Sequence, residues 1–211
     1  MTTTLYYSPG SASLLVHWLL IETGEPHQLH LVDTAAKAQK SPEYLALNPN
    51  GVVPTLVIDG KPRYEAAAMA MLLGERHPRC DFAPSFDDPR RADYLQWMFN
   101  LANMVQPLFR QWWYPDEVAG AINSDAVLVH CAARVEAEWQ RIDDHLAVNG
   151  PYLLGEAPTI ADFYLTMLMR WSRAVPKPAT EWPHLATLAR QMKARPSFAE
   201  LYQREGLTEW A

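Results

Sequence analysis

Asn48-Pro49-Asn50-Gly51-Val52-Val53-Pro54-Thr55-Leu56-Val57-Ile58-Asp59-Gly60 sets a proline at the head of a β-branched run. Proline has no N–H to give to a sheet ladder, so an ordinary central strand rejects it and something must compensate. A cis Val53-Pro54 bond is one compensation. It would turn the N–H and C=O of Val53 outward, as a donor and acceptor pair for an extended, peptide-like ligand. An edge-strand proline without function is the alternative. Beyond the run, Asp59-Gly60 joins it to Lys61-Pro62-Arg63-Tyr64 with a strong hairpin signal.

Upstream, Leu5 to Tyr7 reads as a strand entering the turn Ser8-Pro9-Gly10. Ser11 to Gly24 has the apolar spacing of a helix, with Ser11 or Ser13 as its cap. His27 to Val32 alternates like a second strand, which sends His27 and His30 to opposite faces. Lys37 to Leu47 predicts a helix stopped by Asn48-Pro49. Downstream, Glu65 to Arg76 is alanine- and leucine-rich, hence helix, and ends at His77-Pro78. The order is βαβαββα, an α/β domain over residues 1–79. Residues 80–87, rich in proline and aspartate, predict a linker. From 88 to 211 the pattern is all-α, a helical bundle that holds seven of the eight tryptophans.

The composition narrows the function. The chain has 211 residues, 49% hydrophobic and 20% charged, with a net charge of −6. That is enough to bury a core, and too acidic and evenly charged for nucleic acid to be a partner. Two unrelated cysteines, Cys80 and Cys131, make neither a CxxC pair nor a disulfide framework, which suits a reducing cytoplasm. No apolar run spans a bilayer, so no membrane contact is expected. No metal is expected either, since the seven histidines form no HExxH or Cys/His cluster. Thr159-Ile160-Ala161-Asp162, before Phe163-Tyr164-Leu165, has the form of a capping box, a folding element.

Four stretches in order carry a resemblance over nearly the whole chain: Leu5-Tyr6-Tyr7-Ser8-Pro9-Gly10, Asn48 through Leu56, Tyr64-Glu65-Ala66-Ala67-Ala68 through Pro78, and Thr159 through Asp162. The chain resembles the cytosolic glutathione transferases, most of all the bacterial beta class. The resemblance implies a thioredoxin-like domain, then a helical domain, with glutathione as co-substrate and no metal. It also implies a small hydrophobic electrophile as second substrate, a homodimer, a cytoplasmic location and a role in detoxification. A non-catalytic glutathione- or ligand-binding member of the same fold is the rival reading.

By the same resemblance, Val53 and Pro54 clamp the peptide backbone of glutathione, and Glu65 with the following helix start holds its γ-glutamyl end. Glu65 as a mere charge on its helix dipole is the plainer reading. Ala66 stands where the family carries serine. The missing hydroxyl is worth roughly 1.5–3 kcal/mol, so binding would be about ten- to a hundredfold weaker unless another group compensates. Lys37 falls near the lysine that meets the glycine carboxylate, although a lone lysine is usually a solvated charge.

The thiol must become thiolate to react, and each unit of pKa depression from about 8.5 takes about 1.4 kcal/mol of selective stabilisation. Ser11 sits where serine-type members carry the activating hydroxyl; Ser13 and Tyr7 are the other candidates. Ala12 replaces the beta-class cysteine, which removes mixed-disulfide chemistry. Gln106 replaces a histidine often found near the sulfur. Asn103, Gln106, Phe109 and Trp113 would line the electrophile pocket, or form bundle core instead.

Overall fold

The computed structural model describes residues 3–210. They fall into two compact units: residues 3–83 with 194–209, and residues 84–193 with 210.

In the first unit, strands β1 (Thr3–Tyr7), β2 (His27–Leu31), β3 (Thr55–Ile58) and β4 (Lys61–Arg63) form one mixed sheet in the order β2-β1-β3-β4. β1 and β2 are parallel, while β3 is antiparallel to both β1 and β4. The hairpin expected at Asp59-Gly60 is present. Both residues have positive φ, 53° and 73°, the conformation a two-residue turn needs and glycine adopts without strain. Three helices follow the strands: α1 (Ser13–Glu22), the single turn α2 (Pro42–Leu45) and α3 (Ala66–Arg76). The helix predicted over 37–47 is cut, because Pro42 starts a new turn capped by the Ser41 hydroxyl on the Tyr44 N–H, 3.2 Å.

α1 is buried without a break from Ser13 to Leu20, on every side rather than on one stripe. Such a helix is core on all faces. Its companions are α3 and a helix from the far end of the chain, Pro196–Glu205, whose Phe198 packs edge-on to Trp18 at 5.2 Å while Ser197 accepts the Trp18 indole N–H at 2.9 Å. Residues 194–209 therefore belong with the first unit, although the sequence pattern groups them with the helices before them.

The second unit holds α4 (Arg91–Asn100), a π-helical turn (Leu101–Val105), α5 (Gln106–Trp113), α6 (Pro115–Ala119), α7 (Ser124–Asn149), α8 (Ile160–Trp171) and α9 (Pro183–Lys193). Pro196–Glu205 is thus α10. α8 is the central helix, buried from Ile160 to Arg170. Its start is the expected capping box: Asp162 Oδ2 accepts the Thr159 N–H at 2.7 Å and the Thr159 hydroxyl at 3.0 Å. The other oxygen, Oδ1, accepts the Leu153 N–H at 2.8 Å. No helix among the described residues is long and apolar enough to cross a membrane.

Candidate functional site

Strand register brings the predicted residues to one end of the sheet. Tyr6 pairs with Thr55, so the chain leaves β1 beside the point where it enters β3. Leu56 pairs with Arg63, so β4 exits at that end too, and Glu65 follows it. β2 ends there as well, since Tyr7 pairs with Leu31. Ligands of open α/β sheets bind outside the carboxyl ends of the parallel strands, which is this end.

The peptide bond between Val53 and Pro54 is cis. Pro54 is buried, Val53 half-buried, and among the described residues the Val53 main chain makes no hydrogen bond. The segment before it is held from beneath. Val52 O accepts from the Tyr44 hydroxyl at 2.9 Å and from Asn48 Nδ2 at 2.8 Å. The Tyr44 proton goes to that carbonyl, so the Thr55 hydroxyl, 2.9 Å away, donates to Tyr44. Gly51 has φ +59°, and a Cβ there would lie 3.0 Å from Leu45 Cδ2 and from Lys40 Cδ. Only glycine fits this turn without strain. The Tyr44→Phe variant strands the buried Thr55 hydroxyl. It is expected to lose about 1–2 kcal/mol, seen as a thermal midpoint lower by a few degrees. An unchanged midpoint would mean that Val52 is held by Asn48 alone.

Glu65 takes φ 72°, ψ 106°, a conformation side chains rarely adopt. Backbone outliers of this kind persist where the surroundings demand them, and they cluster at ligand clamps. The Glu65 side chain is exposed, while its carbonyl accepts the Met69 N–H at 3.0 Å. The first N–H groups of α3, beginning with the buried Ala66, have no partner within the helix, and the helix starts just after β4 leaves the site's end of the sheet. Lys37 is exposed with φ 59°, in the segment after β2 that Ser8 reaches through Thr34, 3.2 Å between the hydroxyls.

The three hydroxyl candidates separate. Ser13 is fully buried and donates its only proton to Ser8 O at 3.0 Å, so it ties the loop rather than capping α1. The 2.9 Å contact between Ser11 Oγ and Ser13 Oγ is then donated by Ser11. Ser11 also accepts the Ser13 N–H at 3.3 Å. At the cap position stands Ala12, whose N–H has no acceptor among the described residues. The Tyr7 phenol is held above its usual range, first by burial and then by the negative charge of Glu205. It can serve as a neutral donor but not readily as a phenolate.

The four residues expected to line an electrophile pocket all lie in the helical unit, in different settings. Asn103 is exposed on the π-helical turn, a feature often found at functional sites. Gln106 Oε1 accepts a hydrogen bond from the Tyr164 hydroxyl. Phe109 requires a correction: it is 0% exposed and packs against Trp139 and Trp171, so it is core and not a lining residue. Trp113 is 44% exposed, with the Arg173 guanidinium 5.8 Å from its ring. Sequence reasoning gave no role to His17 or Glu205, which meet at 2.7 Å beneath the Ser11 loop. Residues 188 positions apart leave no local signal of their contact.

Residues 11–76 match the family described as "Glutathione S-transferase, N-terminal domain", and residues 102–205 match "Glutathione S-transferase, C-terminal domain". A relative from Xanthomonas campestris, "Glutathione S-transferase GST-4.5", is 31% identical over 96% of this chain and 98% of its own. The chain belongs to the glutathione S-transferase family. Among other family members, "Glutathione S-transferase GstA" of Escherichia coli is 28% identical over 96% of this chain and 98% of its own. A glutathione transferase homologue from Sulfitobacter, solved with bound glutathione, superposes with a TM-score of 0.89. It is 27% identical and covers 98% of this chain and 99% of its own. The thioredoxin-like fold of the first unit and the helical fold of the second are those of the family.

Proposed function

We propose that the protein is a working glutathione transferase that joins the glutathione thiolate to a small hydrophobic electrophile. The observation that carries the reading is the convergence, at one end of the sheet, of the unpaired Val53 main chain, the outlying Glu65 backbone and the Ser11 loop. Val53's unpaired N–H and C=O suit the cysteinyl backbone of the tripeptide. Glu65 accepts from its ammonium, the first N–H groups of α3 receive its α-carboxylate, and Lys37 faces the glycine carboxylate.

Ser11 then stabilises the sulfur. To do so its hydroxyl turns from Ser13, which keeps the Ser8 N–H at 3.3 Å. The exchange gives up a neutral hydrogen bond, about 0.5–1.5 kcal/mol, for one to an anion, about 1.5–3 kcal/mol. It therefore runs toward the thiolate. The open N–H of Ala12 and the positive end of α1 act in the same direction. In substitution, the sulfur lone pair forms the new S–C bond while the leaving group departs with its electron pair. In addition, the carbanion takes a proton from water. The homodimer, the cytoplasmic location and a detoxifying role rest on family membership and belong to this proposal.

Retention on immobilised glutathione, together with turnover of an activated aryl halide, tests the reading. Retention without turnover favours the non-catalytic binding member, and failure of both favours a structural role. Ser11→Ala is expected to lower kcat about tenfold with glutathione still bound. Unchanged turnover would move the assignment to the Tyr7 hydroxyl or the Ala12 N–H.

A further inference from the structure

A carboxylate and an imidazole lie fully buried under the Ser11 loop, with both side chains 0% exposed. Glu205 Oε1 meets His17 Nδ1 at 2.7 Å, and Glu205 Oε2 accepts the Gly10 N–H at 2.8 Å. Gly10 is the residue before Ser11, and His17 lies on the helix that Ser11 leads into. A single carboxylate on α10 therefore ties Gly10, at the start of the loop's turn, to His17, a full turn into α1.

Docking α10 does not require this charge. The Trp18–Ser197 hydrogen bond, the Trp18–Phe198 ring contact and the buried Leu201 already fasten α10 to α1. An apolar pair of similar volume would fasten it as well, without the desolvation that a buried carboxylate suffers. What an apolar pair would lack is an acceptor aimed at the Gly10 N–H. We propose that Glu205 is a positioning residue for thiol activation: by holding Gly10 and His17 together it fixes the backbone from which the Ser11 hydroxyl and the Ala12 N–H are aimed at sulfur. The inference rests on the reading of Ser11 above.

His17 is the second half of the device. Among the described residues its Nε2 is buried without a hydrogen-bond partner, and its ring lies 5.9 Å from Tyr7 and 5.7 Å from His27. With Nε2 unengaged, the ring's one hydrogen bond among the described residues is the one from Nδ1 to Glu205, which orients it.

Glu205→Ala and Glu205→Gln separate positioning from packing. Glutamine keeps both contacts: its carbonyl accepts the Gly10 N–H, and its NH2 donates to Nδ1 of the other His17 tautomer. The readouts are kcat, KM for glutathione, and the titration of the enzyme-bound thiol followed by thiolate ultraviolet absorbance. The alanine variant is expected to lose about tenfold in kcat, with KM within about threefold and the bound-thiol pKa raised by about one unit. The glutamine variant is expected to stay within about threefold of wild type, with the bound-thiol pKa unmoved. Should the alanine variant not fold, Glu205→Met, which fills the space without an acceptor, replaces it.

A folded variant lacking the carboxylate, with wild-type kcat and bound-thiol pKa, overturns the proposal. So does a glutamine variant as impaired as the alanine variant, because charge and not geometry would then matter. Ser11→Ala in parallel keeps the two readings apart. If it leaves the bound thiol unmoved while Glu205→Ala raises it, the serine assignment fails and Glu205 acts through the Ala12 N–H. A wild-type enzyme without a thiolate signal overturns both.

Discussion

Replacing Asp162 with alanine is expected to destabilise the protein by about 3–5 kcal/mol, since a buried acceptor of this kind leaves several donors without partners when removed. Its carboxylate is fully buried and receives three donors: the Leu153 N–H, the Thr159 N–H and the Thr159 hydroxyl. Alanine strands all three at the start of α8, the most buried helix of the second unit. Asparagine is milder, because its oxygen satisfies one side while its NH2 opposes a donor on the other. Chemical unfolding followed by tryptophan fluorescence measures the loss, and a value below about 1 kcal/mol would show that α8 is capped by other means.

The same carboxyl makes stability depend on pH. Burial raises its pKa from 3.8 to about 6, outweighing the donors that pull it down. The folded state thus binds this proton more tightly than the unfolded chain does. The contribution is fully present below about pH 3.8 and is lost as pH rises through about 6. Wild-type stability is expected to carry a declining component across that window, absent in Asp162→Asn. Identical curves for the two proteins would refute the assignment.

The second large effect is expected at Glu65. Glu65→Ala removes the acceptor proposed for the γ-glutamyl ammonium, a charge-assisted bond worth roughly 1.5–3 kcal/mol, so the Kd for glutathione is expected to rise about ten- to a hundredfold. The backbone there has φ 72°, so alanine keeps the conformational cost while losing the carboxylate. Glu65→Gly relaxes the backbone as well. If the glycine variant binds as weakly as the alanine variant, the carboxylate carries the affinity; if it binds more weakly still, the held backbone contributes by orienting the α3 N–H groups. Calorimetric titration with glutathione reads both. A wild-type Kd in the alanine variant would reduce Glu65 to a charge on its helix dipole.

Much of this site is legible in short stretches. Pro54 at the head of a β-branched run and Asp59-Gly60 before a short strand each constrain the backbone within a few residues. Local rules suffice for them. Phe109 misleads for an equally physical reason: an aromatic near the end of an amphipathic helix looks the same whether it meets a ligand or Trp139 and Trp171. Lys37 to Leu47 reads as one helix because its composition permits one, yet Pro42 together with the Ser41 cap starts a fresh turn.

Local chemistry in the chain therefore determines the βαβαββα order, the hairpin, the helix breaks and the residue types offered at the sheet's end, because each depends on neighbours in sequence. Folding alone decides which serine is spent on the loop and which keeps a movable proton, since that turns on ångström distances among three hydroxyls. It also brings Glu205 back to Gly10 and His17. That contact spans most of the chain and forms only when α10 packs on α1, a choice made by shape and burial over long range and written in no single stretch of residues.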